Sequence, residues 1–344
     1  MANQRDVARE AGVSSATVSR YLTNPELVSP KAARAIQKAV EVLQYQLDPS
    51  AQALRTGKSR HIGVLSPGGG PFHWAVFAAA QEVFHKAGYF STLYLTWDEG
   101  AEAPAEPLEP LLKGRQIDGV LSLSTLHPND DRALDLLQNW GRPFVVLDRP
   151  LPHSPVPQVY VDNYEAGRCA ARELLARGHR EFLFIWGRTE FPSAHTRFQG
   201  FRDELRKNDV HITLDRQLEG EFFSLRTYEE TTRRWPNLPP FTAVFASNDS
   251  SALGFLKAAR EHGLDSPRDF SLIGFDDNFE FTLLFDPPLA TFRQPAEKLG
   301  IVAARMLLDL LAEKIPPSTR VPLEAEFILR SSLGPCPAKS STTR

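Results

Sequence analysis

Hydrophobic residues in the first 45 positions recur at the spacing of short helices. The first group predicts a helix over residues 5–11, ended by Gly12, which adopts left-handed backbone conformations without a Cβ penalty. The second predicts a helix over residues 15–22, with Ser14 placed to cap its free N–H groups. A longer helix is expected from residue 30, where a proline suits the first helical position. Two short helices joined by a glycine turn and backed by a third form the helix-turn-helix that enters the DNA major groove.

The second predicted helix has a surface suited to contact with DNA. Val18 and Leu22, four residues apart, predict its buried side, which leaves Ser15, Ala16 and Arg20 on the outside. Small side chains permit a close approach, and an arginine can reach a phosphate or a guanine edge. A plain three-helix bundle without nucleic acid would show the same spacing, so the pattern alone leaves both interpretations open.

A marginal fourth helix is predicted over residues 48–57. Asp48 can cap it, Pro49 can take its first position, and Gly57 ends the pattern. A helix of about two turns is barely stable in water. The segment is therefore either a linker with residual helicity or a helix that forms only with a partner.

From residue 61 the pattern changes to short apolar runs separated by amphipathic stretches. The runs occupy residues 61–67, 91–95, 118–124, 143–150, 159–162, 181–187, 243–249 and 270–277. Strand, helix and strand in alternation predict parallel sheets covered by helices, and these runs are enough for two sheets. Residues 154–157, which contain two prolines, are expected to form the crossover between the sheets.

Polar and aromatic side chains follow several of these apolar runs. In open α/β sheets a ligand lies beyond the carboxyl ends of the strands. The side chains expected to share this place are Phe72, Trp74, Asp148, Arg197, Phe222, Asn248 and Asp276. Carboxylates, amides and arginine can hydrogen-bond paired hydroxyls, and aromatic faces cover the C–H side of a sugar ring. Together they favour a site for a polyhydroxylated ligand, whereas each residue alone would equally suit a cap or the core.

Composition and charge narrow the class of protein. The 344 residues are 42% hydrophobic and 24% charged, which is typical of a globular protein of two or three domains. Residues 1–60 contain nine Lys and Arg against five Asp and Glu, a net charge of +4 that leaves −7 for the rest of the chain. A basic head on an acidic body indicates contact with a polyanion.

Several classes of protein and site find no support in the sequence. No apolar run predicts a membrane span or a secretory leader, and Cys169 and Cys336 are the only cysteines, so a cytoplasmic protein without disulfides is expected. No Walker loop, G-x-S-x-G, H-E-x-x-H or G-x-G-x-x-G motif is present, so we predict no catalytic residue and no cofactor. Asp276 and Asp277 are adjacent carboxylates, but no histidine cluster supports a metal site there.

The chain also carries an ordered series of short motifs. They are "DVA", "AGVS", "TVSR", "LQY" and "PSAQAL" near the N-terminus, and "DGVL", "VVLDRP", "RFQGF", "FASNDSSALG", "LIGFDD" and "RQPAEKLG" in the body. This series, over about residues 5–333, closely resembles the lac repressor (LacI/GalR) family of transcription regulators. The resemblance implies an α/β fold, with an N-terminal three-helix helix-turn-helix DNA-binding domain and a two-lobed, periplasmic-binding-protein-like core with parallel sheets.

The resemblance also implies domain boundaries. They are 1–46 for the DNA-binding domain, 47–59 for the hinge helix or linker, 60–334 for the core and 335–344 for a tail. Within the core, lobe 1 is expected at about 60–159 and 291–321, and lobe 2 at about 160–290 and 322–334.

The partner implied by the resemblance is a double-stranded operator. This DNA would be pseudo-palindromic with a central C–G step, and the protein would bind it as a homodimer or a tetramer. The residues implied to contact DNA or to support that contact are Arg5, Ser14, Ser15, Ala16, Thr17, Ser19, Arg20, Asn24, Ser50, Ala51 and Leu54. Leu54 would enter the minor groove from a hinge helix and wedge apart the central step.

The resemblance assigns roles to the ligand-site residues as well. Arg197, Asn248 and Asp276 match positions that hold sugar hydroxyls in similar proteins, and Phe222 matches an aromatic that stacks on the ligand. The first loop departs from the family pattern, because it reads "SPGGGPFHW". Phe191 stands where purine-responsive relatives place an arginine, which argues against a purine and favours a sugar or sugar derivative.

The sequence therefore predicts a sugar-responsive, DNA-binding transcription regulator, most simply a repressor. A ligand between the lobes would change their relative angle and thereby the order of the hinge segment. Whether the ligand releases DNA or promotes DNA binding is left open. A sugar-binding protein without DNA function is the alternative, and an α/β enzyme is the third interpretation.

Overall fold

The structure, a computed structural model, divides the chain into two compact units, Met1–Ser59 and Arg60–Arg344. The residues that it describes are 2–45, 58–66, 70–95, 108–114, 116–124, 131–148, 150–151, 154–189, 191–277, 282, 284–316 and 318–337.

Three helices form the N-terminal unit. They are Gln4–Glu10 (α1), Ser15–Thr23 (α2) and Pro30–Val42 (α3). Each begins after a side chain that accepts hydrogen bonds from free backbone N–H groups, namely Asn3, Ser14 and Ser29. Gly12 lies between α1 and α2 with a φ of +64°. One residue from each helix is fully buried at the centre: Val7, Val18 and Ile36. The predicted three-helix unit is confirmed.

Six parallel strands form the first sheet of the second unit. In spatial order they are Arg320–Leu323 (β11), Gln158–Val161 (β5), Phe144–Leu147 (β4), Gly119–Leu123 (β3), His61–Ser66 (β1) and Phe90–Leu95 (β2). The helices of this lobe are Pro71–Lys86 (α4), Leu108–Lys113 (α5), Asp131–Trp140 (α6) and Ala296–Leu311 (α11). Along β4, Val145 and Leu147 join one hydrophobic cluster while Phe144 and Val146 join another. Because side chains alternate between the faces of a strand, this sheet is buried on both sides.

Four parallel strands form the second sheet. In spatial order they are Gln217–Glu219 (β7), Phe182–Trp186 (β6), Ala243–Ala246 (β8) and Ser271–Ile273 (β9). The helices of this lobe are Asn163–Ala176 (α7), Pro192–Arg206 (α8), Ser224–Arg234 (α9) and Asp249–Glu261 (α10). Thr291–Arg293 (β10) and Glu326–Ile328 (β12) pair separately and antiparallel. All eight predicted apolar runs contain a strand, so the mixed α/β core with parallel sheets is confirmed.

The first crossover between the sheets was predicted in the wrong place. Residues 154–157 precede β5, which pairs with β4 and β11 and therefore belongs to the first sheet. The chain leaves that sheet at Asp162, whose carboxylate caps α7 by accepting from the N–H of Glu165 at 3.0 Å. The prolines form a turn between two strands of one sheet. A proline-rich turn by itself therefore does not indicate where the chain passes to the other sheet.

The helix pair α7 and α8 packs at backbone distance. A Cβ built at Gly200 would lie 1.9 Å from the carbonyl oxygen of Tyr164, and one at Gly167 would lie 2.1 Å from the carbonyl oxygen of Arg197. Only glycine permits such an approach. The contact fixes Arg197, on α8, beside the N-terminal turn of α7.

Within the described residues, no helix combines the length and the apolar character that crossing a bilayer requires. Cys169 and Cys336 are both free thiols.

Candidate functional site

The outer surface of α2 matches the surface predicted for DNA contact. Ser15, Ala16 and Arg20 are exposed, whereas Val18 is fully buried beneath them. The hydroxyl of Ser14 accepts from the backbone N–H of Thr17 at 3.1 Å, and the two hydroxyls lie 2.8 Å apart. The capping interaction leaves a helix whose first turn presents only small side chains, which permits a close approach to a groove.

The other predicted DNA contacts belong either to the helices of the N-terminal unit or to the predicted hinge. Arg5 is exposed on α1, and Asn24 is exposed at the end of α2, where its N–H donates to the carbonyl of Arg20 at 2.8 Å. Ser19 is partly buried on α2. The hinge residues Ser50, Ala51 and Leu54 lie outside the described residues.

In the core, Arg197 is the buried centre of the predicted ligand site, with a relative exposure of 3%. Its Nε and Nη2 donate to the side-chain oxygen of Asn163, at 3.1 and 2.6 Å. Its Nη1 donates to the backbone carbonyl of Ser247, at the end of β8. The guanidinium carbon lies 3.3 Å from the ring centroid of Phe275, which follows β9. Arg197 thus joins the start of α7 to the carboxyl ends of two strands.

The charge of Arg197 is held in surroundings that disfavour it. Burial lowers the pKa of Arg197 to about 10, and the negative charges of Asp276, Asp148 and Asp249 oppose that shift. The side chain remains a cation at neutral pH, stabilised by those carboxylates.

Asp276 follows β9, and its pKa is shifted in the opposite direction. Burial raises the pKa of Asp276 to about 6, Arg197 and a hydrogen bond from Gln294 oppose the shift, and Asp148 adds to it. The Nε2 of Gln294 donates to Oδ1 of Asp276 at 2.7 Å. A carboxyl group that titrates near neutrality inside a cleft is a candidate functional group.

Asp148 comes from the other lobe, at the end of β4. Its carboxylate accepts from the hydroxyl of Ser124, which follows β3, at 2.6 Å. The charge of Asp148 acts on both Arg197 and Asp276. The charge of Arg197, on α8, therefore interacts with two carboxylates that lie at the carboxyl ends of strands in different sheets.

Asn248 lies between β8 and α10, where its side chain makes two hydrogen bonds. It caps α10 by accepting from the N–H of Ser251 at 2.8 Å, and its Nδ2 donates to the carbonyl of Phe222 at 3.0 Å. The ring of Phe222 lies directly on Gly187, since a Cβ there would come within 2.0 Å of it. It is also parallel to the ring of Phe191, at 6.3 Å and 15°. Asn248 and these aromatics form one wall at the carboxyl edge of the second sheet.

Phe72 and Trp74 lie in the first turn of α4. Phe72 packs against the main hydrophobic cluster and edge-on to His73, and Trp74 is 52% exposed with an edge contact to Phe77. The ring contacts described for both residues are with neighbours in α4, and the cluster on which Phe72 packs contains residues of both lobes.

Left-handed backbone conformations concentrate at these strand ends. The φ angles are +54° at Ser124, +68° at Asp148, +66° at Phe222 and +113° at Asp276. Residues other than glycine adopt such angles rarely, at a cost of order 1–3 kcal/mol each, and they cluster at functional sites. The strained backbone positions and the charged residues Asp148 and Asp276 therefore lie at the carboxyl ends of strands in both sheets.

Asp277, next to Asp276, is an anchor for the chain. Its carboxylate accepts from Arg293 and from Arg330, both at 2.7 Å, and from the hydroxyl of Thr282 at 3.1 Å. The adjacent carboxylates therefore have different partners. Among the described residues, no cluster of His, Cys, Asp and Glu has the arrangement of a metal site.

A cavity of about 290 Å³ opens at the carboxyl ends of β6 and β7. Its lining consists of Gly187, Arg188, Thr189, Glu219 and Glu221. Gly187 also supports the ring of Phe222, so the cavity adjoins the aromatic wall. The guanidinium of Arg188 lies over the rings of Phe191 and Phe223, at 5.8 and 5.9 Å from their centroids.

Sequence reasoning missed the residues that hold the charged groups. Asn163, Ser124 and Gln294 each hydrogen-bond one of the three charged site residues. A signal for Asn163 was available, because an amide two residues after a strand is placed like the candidates that were selected. Arg188 and Glu221 also follow strands, and Glu219 is the last residue of β7.

Two family models match the chain. The model of bacterial regulatory proteins of the lacI family matches residues 4–48, and the periplasmic binding protein-like domain matches residues 171–333.

Individual proteins match nearly the whole chain. The HTH-type transcriptional repressor CytR of Escherichia coli (strain K12) is 33% identical over 96% of this chain and 96% of its own length. The crystal structure of a lac repressor dimer bound to operator and the anti-inducer ONPF is 25% identical, covers 97% of this chain and 99% of that one, and gives a TM-score of 0.85. A complex of the transcriptional regulator CelR with cellobiose is 26% identical, covers 96% and 100%, and gives a TM-score of 0.73.

Proposed function

The chain belongs to the lacI family of bacterial regulatory proteins, and from that premise we propose that it is a repressor whose operator affinity is set by a sugar or sugar derivative. The observation that carries the proposal is the electrostatic interaction of Arg197, on α8, with Asp148 and Asp276, which follow strands of the two different sheets of the core. A ligand that bridges these side chains contacts both lobes at once, so its binding energy can favour one angle between them.

The DNA side of the proposal rests on α2. Ser15 and Ala16 leave room for a major groove, and Arg20 is exposed one turn further along the helix. We assign base or phosphate contacts to these three residues and a supporting role to Ser14 and Thr17, whose hydroxyls fix the first turn of the helix.

The ligand side rests on the pairing of polar groups with an aromatic wall. Carboxylates and guanidinium can bind neighbouring hydroxyls, and Phe222 offers a flat face for the C–H side of a ring. The similar CelR structure holds cellobiose, which fits this class of ligand. The similar lac repressor structure is a dimer on its operator, and we propose that this chain also binds a pseudo-palindromic operator as a homodimer.

A substitution on the recognition helix tests the operator proposal. We expect Arg20→Ala to weaken binding to a DNA fragment from upstream of the protein's own gene by about 10-fold and to lower the salt slope by about 1. Fluorescence anisotropy over a series of salt concentrations measures both quantities. Lys38→Ala removes the same charge from an exposed position on α3 and is expected to bind nearly as tightly as the unmodified protein. Equal losses of DNA affinity in the two variants would contradict the assignment. So would the absence of a specific DNA complex both with and without ligand.

Leu54 provides a separate test of the hinge. On the resemblance to the family, we expect Leu54→Ala to weaken specific operator binding by about 10-fold or more, because the wedge at the central step is lost. The same variant should keep an unchanged ligand-induced shift in melting temperature, because the substitution lies outside the core. Loss of ligand binding together with DNA binding would show that the substitution damages the fold instead.

A further inference from the structure

The chain passes between the two lobes of the core at three crossovers. The first follows β5, where Asp162 caps α7 of the second lobe. The second lies between β10, which ends at Arg293, and α11, which begins at Ala296. The third lies between β11, which ends at Leu323, and β12, which begins at Glu326. Any change in the angle between the lobes must bend these short segments, so contacts at their ends influence that angle.

The second and third crossovers are held side by side. β10 and β12 are antiparallel, and in their register Arg293 lies opposite Glu326. The Nη1 of Arg293 also donates to Oε2 of Glu326 at 3.4 Å. β10 is bridged in turn to the segment after β9, because the N–H of Asp276 donates to the carbonyl of Phe292 at 2.9 Å. Both crossovers therefore begin at one two-stranded ladder that is attached to the second lobe.

Asp277 joins this ladder to the segment after β9. Its side chain is 1% exposed, and its carboxylate accepts from Nε of Arg293 and from Nη2 of Arg330, both at 2.7 Å. Arg330 follows β12, and its Nη1 donates to the carbonyl of Leu289, before β10, at 2.9 Å. Hydrogen bonds between charged groups are about twice as strong as neutral ones. We call this group the crossover clasp; its members are Asp277, Arg293, Glu326 and Arg330.

The crossover clasp is next to a residue of the proposed ligand site. Asp276 and Asp277 are consecutive, and both have left-handed backbone conformations, with φ angles of +113° and +53°. The peptide unit between them is planar and of fixed length. A ligand that displaces Asp276 therefore acts on the clasp through a single peptide unit.

The position of Arg293 indicates more than a local anchor. Arg330, which is mostly buried, already pairs with Asp277 and would hold the segment after β9 by itself. Arg293 is 49% exposed, is the last residue before the second crossover, and contacts both Asp277 and Glu326. A half-exposed ion pair contributes little to stability. The two contacts instead connect the ends of two crossovers to one buried carboxylate.

We propose that the crossover clasp holds the second and third crossovers in one arrangement and thereby sets the angle between the lobes in the ligand-free protein. Operator affinity depends on that angle, so this inference rests on the proposed function. Arg293 is a positioning residue, which acts on DNA binding through the crossovers. Loosening the clasp changes the populations of the lobe arrangements and with them the operator affinity.

A substitution of Arg293 in the full-length protein without ligand tests the inference. We expect Arg293→Gln to change the dissociation constant for a DNA fragment from upstream of the protein's own gene by at least about 5-fold, measured by fluorescence anisotropy. Arg293→Lys keeps a cation beside Asp277 and should retain most of the unmodified affinity. Arg260→Gln is the matched control and should leave the affinity unchanged, because Arg260 is 40% exposed and pairs with Asp265 inside the second lobe, at 2.9 Å.

Hydrogen exchange distinguishes a change in the lobe angle from local loosening. Either effect of Arg293→Gln should speed exchange in peptides from β10 and β12. Only a change in the angle between the lobes is expected to speed exchange at the first crossover as well. There the carboxylate of Asp162 accepts from the N–H of Glu165 at 3.0 Å, and its own N–H donates to the carbonyl of Leu323 at 2.8 Å.

Three results would overturn the inference. They are an unchanged operator affinity in Arg293→Gln, an equal change in Arg260→Gln, and faster exchange that is confined to β10 and β12. Absence of a specific operator complex with the unmodified protein would contradict the repressor instead, and exchange at the first crossover would then decide the role of the clasp by itself. Arg293 is preferred to Asp277 for this test because its half-exposed side chain can be replaced without leaving a buried charge unpaired.

Discussion

Replacing Asp276 with asparagine is expected to abolish ligand binding and to raise the melting temperature of the ligand-free protein at about pH 8. Burial raises the pKa of Asp276 to about 6, above its ordinary value of 3.8. Between these two values the folded protein holds a proton that the unfolded chain has lost, so stability falls as the pH rises through this window. Above the folded pKa the full cost of an ionised, partly buried carboxyl is present. Asparagine removes that cost and still accepts the hydrogen bond from Gln294.

The pH dependence distinguishes this explanation from improved packing. The difference in melting temperature between Asp276→Asn and the unmodified protein should shrink as the pH falls below about 6, because Asp276 is then protonated in the folded state. The ligand effect has another origin. On the proposed function Asp276 accepts from ligand hydroxyls, and an amide keeps only one acceptor oxygen, so the ligand-induced shift should be lost at every pH.

The neighbouring carboxylate, Asp277, provides a matched control for which the opposite change in melting temperature is expected. Burial raises the pKa of Asp277, but hydrogen bonds from Arg330 and Arg293 outweigh it and hold that pKa below its ordinary value. Asp277→Asn should therefore lower the melting temperature at about pH 8, with a loss of about 3 kcal/mol or several degrees. Differential scanning fluorimetry of both variants measures the two signs directly. Shifts in the same direction for the two variants would contradict the assigned electrostatics.

The elements that local rules decide were predictable from the sequence. Ser14 and Ser29 cap their helices because a side-chain oxygen reaches a backbone N–H three residues later, and this requires no knowledge of the fold. The apolar runs became strands because a parallel sheet buries both faces. The short strands β7, β10, β11 and β12 were missed, since three or four residues with charges among them carry no periodic signal.

The candidate site was predictable only in part. Asp148, Arg197 and Asp276 were selected because the carboxyl ends of parallel strands gather side chains, and in the structure the charge of Arg197 interacts with both carboxylates. Their supports depend on tertiary geometry. Asn163 and Arg197 are 34 residues apart, and no local pattern indicates that they meet. Asn248 was predicted as a ligand-site residue because it follows a strand. In the structure the same position makes it the N-cap of α10.

Replacing Arg197 with alanine is expected to have the largest effect of any single substitution in the core. The carbonyl of Ser247 and the side-chain oxygen of Asn163 would lose buried donors, and Asp276 would lose its compensating cation. Removing one partner of a buried charged group costs about 3–5 kcal/mol, and the ligand-induced shift should disappear as well. Chemical denaturation measures the loss of stability. Arg202→Ala in the same helix is the control, because Arg202 is partly exposed and pairs with the adjacent Asp203, so its loss should cost about 1 kcal/mol or less.

The double variant separates the loss of a charge pair from the loss of packing. In Arg197→Ala the carboxylate of Asp276 remains buried without its cation, so part of the cost arises from Asp276 itself. Adding Asp276→Asn removes that charge, and the double variant should be more stable at about pH 8 than Arg197→Ala alone, although neither binds ligand. The gain should also exceed the one that Asp276→Asn gives in the unmodified protein, where Arg197 already offsets part of the penalty. Equal gains in the two backgrounds would mean that the two charges do not interact, and the electrostatic interaction assigned to Arg197 and Asp276 would then be wrong.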